Sequence, residues 1–405
     1  MSKHEWRRSQ AMIWKVKKLT LLLTMVSCPV CIRAADFDPS AIEYSGPKGV
    51  IIYVSKQGDN SDGTSWGKAF HTIQAALLAV PDDRGGHQIV IRPDTYIEAN
   101  LAPSFKGAKH AYNALIGDQD GSLGSGSTGW VIVDSGDPEK GFKSWDWWGA
   151  IRASNRHWPH GNNQETFSSI VWDRWILRNL YVAGGDAGLF WDLTDKSGEG
   201  FTVLVEDCVG TGRAFGGGVC YPLVRPEEPT VFRRCYFLAL DFDRDTAAVL
   251  LGGWEKSMPE DPHAVFENCT LVHPDNAVGL SYASHCARAL FTDCRMIVLN
   301  FTQPEMGGKS TGILCTQGHS PHGRLHVDLE DCILAGYSLF TPGDEAKALS
   351  YTTTGNVQAY VQFKQTLPED FNRLGLWPTD LFARIAPPHD PGELKKLSNT
   401  NRIAR

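Results

Sequence analysis

Five clusters recur at one point of a repeat in the middle of the chain: Trp191 with Asp192; Tyr221; Trp254, Glu255 and Lys256; Tyr282, His285 and Arg288; and His319, His322 and Arg324. Aromatic rings stack on pyranose faces, cations hold carboxylates and a titratable side chain moves a proton, so this mixture suits a sugar acid. Elimination beside a carboxylate would use Arg288, Arg324 or a bound Ca²⁺ to neutralise the acid. Lys256, His285 or Tyr282 would then abstract the proton, with His319 a further candidate; a lysine serves as base only when desolvation or neighbouring cations lower its pKa. Hydrolysis would instead divide acid and base roles among Asp243, Asp245 and Glu255, and the carboxylate separation that decides between these is a three-dimensional quantity. Asp241, Asp243 and Asp245, three carboxylates within five residues, are candidate Ca²⁺ ligands, or form a solvated loop paired with Arg244. Trp147 and Trp148, near Trp145, Arg152 and His157, read as a sugar-stacking platform or as packing of an insertion.

The elements that must position these groups follow from self-similarity. Alternating apolar segments end in Cys208, Cys235, Cys269, Cys294 and Cys332, and a sixth ends in Leu180, at successive spacings of 28, 27, 34, 25 and 38 residues. A second element follows the first five turns, beginning at Gly188, Gly218, Ala248, Gly279 and Gly312. Two short β-rich elements per turn of about 30 residues, with Gly at bends and no helical period between them, predict a parallel β-helix. Equivalent residues then lie about 4.8 Å apart on neighbouring coils. The cysteines become an internal packing ladder in which one disulfide between stacked neighbours stays open.

The segment Tyr53-Val-Ser-Lys-Gln-Gly-Asp-Asn-Ser-Asp-Gly-Thr-Ser-Trp66, the helix-like Phe70 to Leu77 and the run Ile89-Val-Ile-Arg-Pro-Asp-Thr-Tyr96 resemble the opening of secreted bacterial right-handed β-helix proteins of the pectin-lyase-like superfamily. Asp94 stands where that pattern has Gly, at a turn position Asp tolerates. The resemblance implies an all-β, single-stranded right-handed parallel β-helix with an N-terminal capping helix. It also implies an extended polysaccharide bound along one face, by a lyase, a glycoside hydrolase or a non-catalytic carbohydrate-binding protein. Independently, Ile73, Ala76, Leu77 and Val80 form one helical stripe stopped by Pro81.

Composition sets the bounds. With 405 residues, 42% hydrophobic, the chain has ample core material, which excludes wholesale disorder and a disulfide-stapled miniature. A formal charge of −7 argues against a nucleic-acid partner. Lys15, Lys17 and Lys18 before the apolar run Leu19 to Ile32, then Ala34 and Ala35, read as a signal peptide (1–34), with Met12 the expected start and a secreted or periplasmic product lacking a membrane span. The Cys28 to Cys31 CxxC lies inside that run and is set aside as a redox motif. Cleavage would leave 32 basic against 45 acidic residues, so an anionic polymer needs strong local cations. The expected organisation is one solenoid over 35–346 with an insertion at about 134–163, and a closing segment and tail over 347–405. Gly124 to Gly129 matches GxGxxG but precedes a strand-like run instead of opening a helix.

Overall fold

The computed structural model describes residues 49–134, 170–183, 187–193, 200–212, 214–225, 227–239, 246–273, 276–281, 284–298, 312–316, 323–335 and 348–360. The signal peptide, most of the 134–163 insertion with Trp147 and Trp148, the carboxylates Asp241, Asp243 and Asp245, and Tyr282, His319 and His322 lie outside these residues. Among the described residues, strands β1 to β24 are numbered in chain order and form three sheets whose every pairing is parallel. Sheet A has ten strands, from β1 (Ile51–Val54) and β2 (Gln88–Ile91) to β23 (Leu349–Thr354). Sheet B has nine, ending at β24 (Gln358–Tyr360), and sheet C has five, from β8 (Ala187–Asp192) to β20 (Gly312–Thr316). The chain passes from A to B to C and back, which makes a right-handed parallel β-helix.

A complete coil therefore carries three strands where the repeat in sequence showed two. The missed one starts directly after each ladder cysteine, so the turn between A and B is too short to stand out. That turn pivots on a single left-handed residue, Asn179, Asp207, Arg234, Asn268, Asp293 or Asp331, with φ between 52° and 58°. Asn and Asp tolerate this conformation best. Each donates its backbone N–H to a carbonyl of the next coil, as from Asp207 to Arg233 (3.0 Å) and Asn268 to Thr292 (2.8 Å). Arg234, the exception in type, is held by two hydrogen bonds to Asp207 at 2.8 and 2.7 Å.

Like stacks on like inside the coil. Leu177, Val205, Phe232, Phe266, Phe291 and Leu329 occupy one inward register of sheet A. Phe266 stacks on Phe232 at 4.8 Å and on Phe291 at 4.5 Å, with the ring planes nearly parallel. Beside this row the five ladder cysteines are buried, and they, Cys220 and Cys286 are free thiols. Their Sγ atoms donate to carbonyls of the preceding coil, as from Cys294 to Phe266 (3.3 Å) and Cys332 to Phe291 (3.3 Å). Burial disfavours the thiolate and pushes the Cys208 thiol up.

Helix α1 (Ile73–Leu78) buries Ile73, Ala76 and Leu77 in the core shared with β1 and β2. Its first turn is held from outside itself: the Glu98 carboxylate accepts the N–H groups of Ile73 (2.7 Å) and Gln74 (2.9 Å). At the other end β23 and β24 carry the stacks past residue 346, where the repeat fades in sequence. Among the described residues no helix is long and apolar enough to cross a membrane.

Candidate functional site

The candidate site lies where the chain leaves sheet C and re-enters sheet A. Strand β14 (Ala247–Gly252) is followed by Gly253, which passes so close to the neighbouring coil that a Cβ there would fall 1.7 Å from the carbonyl oxygen of Cys286. Only glycine permits this approach. Its N–H donates to Ser284 Oγ (2.8 Å), and its carbonyl accepts from His285 N (3.0 Å). Cys286 N then donates to Glu255 O (2.9 Å), and Arg324 N donates to His285 O (3.0 Å). Trp254, His285 and Arg324 are thus fixed on successive coils by backbone bonds.

Trp254 is 43% exposed, and its ring meets His285 edge to face at 5.7 Å. Lys256 and Arg324 are exposed, and Arg324 opens β21 (Arg324–Glu330), in register with Cys286 at the start of β18 (Cys286–Thr292). Among the described residues, no hydrogen bond engages the ring nitrogens of His285. An exposed indole, an available imidazole and two cations therefore share one edge of the solenoid.

Glu255 has a different role from the one its sequence position suggested. Its carboxylate accepts from Val224 N (3.1 Å), Trp254 N (3.2 Å) and His263 Nε2 (2.8 Å), clamping two connecting loops to the head of β15 (Ala264–Glu267). His263 is buried, and its Nδ1 accepts from Arg288 N (3.1 Å), so its proton sits on Nε2 and both ring nitrogens are spent. Partial burial alone would raise the Glu255 carboxyl, but the hydrogen bond from His263 and the backbone N–H donors bring it down to about 2. A carboxyl this acidic is ionised at working pH and cannot be the general acid of a glycoside hydrolase, whose pKa must be raised.

Glu255→Gln is expected to cost about 1–2 kcal/mol at neutral pH, allowing for solvent screening of a partly exposed group. Because the folded carboxyl is the stronger acid, its contribution is complete above about pH 4.5 and is lost as pH falls through about 2. Denaturant unfolding of both proteins at neutral pH and near pH 2 should show the gap between them closing.

Three other candidates are corrected by the structure. Trp191 is fully buried, packed against Phe201 and Phe232 at 6.2 and 6.3 Å, because its parity along β8 turns it inward. Tyr221 is buried too, its hydroxyl on Ser281 Oγ. Around Tyr221, Phe190, Cys220 and Leu250 make a buried apolar cluster. Arg288 is consumed internally: Nε donates to Asp328 Oδ2 (2.7 Å) and one terminal nitrogen to Glu260 O (2.6 Å).

His263, His326 and Asp328 escaped the sequence reading. The alternation Arg324-Leu-His326-Val-Asp328-Leu-Glu330 was the available signal for the last two, since period 2 turns the polar set outward. Among the described residues, no group of three or more His, Cys, Asp or Glu side chains could hold a metal ion.

No family model matches the sequence, and no curated relative does. Solved structures similar to this chain include a pectate lyase, Pel9A, with TM-score 0.45 and 12% identity over 86% of this chain and 87% of that one. A pectin methylesterase from Aspergillus niger has TM-score 0.35 and 14% identity over 79% and 88%. A rhamnogalacturonan lyase has TM-score 0.39 and 13% identity over 71% and 70%. At these scores the likenesses assign no chemistry to this chain.

Proposed function

We propose that this chain is a secreted or periplasmic β-helix protein of the pectin-lyase-like superfamily that binds an acidic polysaccharide at the Trp254, His285 and Arg324 edge and cleaves it by β-elimination. The observation that carries this reading is the meeting of an exposed indole, an imidazole with unengaged ring nitrogens and two exposed cations on adjacent coils. Coils about 4.8 Å apart offer repeated contacts to a polymer running along the solenoid.

In this mechanism Trp254 stacks on a sugar ring, and Arg324 and Lys256 hold the uronate carboxylate. Neutralising that charge acidifies the adjacent C–H, and His285 takes its proton. The electron pair forms a carbon–carbon double bond and expels the glycosidic oxygen, which is protonated from water. Lys256 is exposed and so lacks the desolvation that a lysine base needs. Elimination is preferred to hydrolysis because Glu255 is held as an anion within a structural clamp.

Incubation with acidic and neutral polysaccharides tests the proposal. Elimination produces new reducing ends together with ultraviolet-absorbing unsaturated ends. Reducing ends without that absorbance would replace elimination by hydrolysis. Binding without any product would establish the non-catalytic carbohydrate-binding alternative.

A further inference from the structure

On the outward face of sheet A, beyond the edge just described, stand three side chains that the elimination does not use. His326 on β21 and Ser350 on β23 are partners in the strand register, as are Asp328 and Thr352. Ser350 Oγ lies 2.8 Å from His326 Nδ1, and His326 Nε2 lies 3.2 Å from Asp328 Oδ1. Asp328 also accepts from Arg288 Nε (2.7 Å) and from the Thr352 hydroxyl (2.5 Å). Partial burial alone would raise its carboxyl, but Arg288 and Thr352 hold it below the usual range.

An anionic Asp328 accepts a hydrogen bond from His326 Nε2–H, which leaves the Nδ1 lone pair to accept from the Ser350 hydroxyl. This is the hydroxyl, imidazole and carboxylate relay of a serine hydrolase with the roles of the two ring nitrogens exchanged. Ser350 is exposed and therefore open to a carbonyl from solvent.

We propose that Ser350, His326 and Asp328 form a second reactive centre, an esterase acting on short acyl esters such as those carried on sugar hydroxyls. Ser350 Oγ bonds to the ester carbonyl carbon while its proton passes to His326 Nδ1. The tetrahedral intermediate collapses, the carbon to alkoxy-oxygen bond breaks, and the leaving alcohol takes that proton. Water, deprotonated by His326, then releases the carboxylic acid and restores Ser350. Asp328 is a positioning residue that holds the ring and its tautomer. Arg324 stands two residues before His326 on the same outward side of β21, about 7 Å away, so a polymer held there would bring its acyl groups within reach.

The intact chain should take a fluorophosphonate adduct on Ser350 and hydrolyse p-nitrophenyl acetate. Ser350→Ala should remove the adduct and lower hydrolysis about 100-fold or more, and His326→Asn should lower both. Asp328→Asn should shift the pH profile of hydrolysis, a readout that a purely structural role would leave in place. Melting curves confirm that each variant is folded. An adduct elsewhere, no adduct at all, or unchanged hydrolysis in folded Ser350→Ala would overturn the proposal. Unsaturated-end formation is measured on the same Ser350→Ala protein. Its retention or absence bears on the elimination reading alone, so the two can fail separately.

Discussion

His285→Ala should lower the rate of unsaturated-end formation about 10²- to 10⁴-fold, the usual contribution of a positioned general base. Folding should survive, because the backbone bonds of residue 285 to Gly253 and Arg324 do not use the side chain, which is only half-buried. Polysaccharide binding should also survive, since Trp254 and Arg324 remain. Lys256→Ala should act mainly on substrate affinity, as expected of a group that holds a carboxylate in ground state and transition state alike. Rates measured against polymer concentration separate the two effects. Full activity in folded His285→Ala would remove His285 from the mechanism.

Gly253→Ala should be the most damaging small substitution near the site. The new Cβ would fall 1.7 Å from the Cys286 carbonyl oxygen and 2.6 Å from its carbon, a collision with backbone that no rotamer relieves. A loss of about 3 kcal/mol is expected, as for overpacking of a closely fitted site. Trp254 and Glu255 follow directly in the chain, so polysaccharide binding should fall with stability. Gly67→Ala is the matched control: a Cβ there meets nothing within 4 Å, and its stability change should stay within about 0.5 kcal/mol. Denaturant unfolding and polysaccharide binding on both variants check the contrast.

Much of the solenoid was legible without coordinates, and particular residues show why. A coil must return to the same inward row, so Val205, Phe232, Phe266 and Phe291 recur with the cysteine that follows three residues later. The left-handed turn needs Asn or Asp, and those residues mark it at all but one of the described repeats. Sheet B went unseen because a turn of one or two residues leaves no polar or glycine-rich gap between strands.

The site was legible in part. Trp254, His285 and Arg324 come together as their place in the repeat suggested, because a position at the mouth of a coil is inherited by the next coil. Trp191 shares that place in sequence but turns inward, since parity along a strand, not distance from the repeat mark, decides which face a side chain takes, whereas Tyr221, at φ 67°, is buried in the separate cluster with Phe190, Cys220 and Leu250. Glu255 looked like a catalytic acid because nothing local reveals that His263, eight residues on, closes over it and holds it ionised.

Residue types alone carried the coil period, the buried ladder and the mixture of rings and cations at one edge, because each obeys a rule acting within one turn of chain. Stacking decided the rest. Ser350 and His326 are 24 residues apart and meet only because their strands pair in that register. Connecting loops of unequal length hide such partners in a one-dimensional reading. Hydrogen bonding across each parallel pair then brings them within about 5 Å.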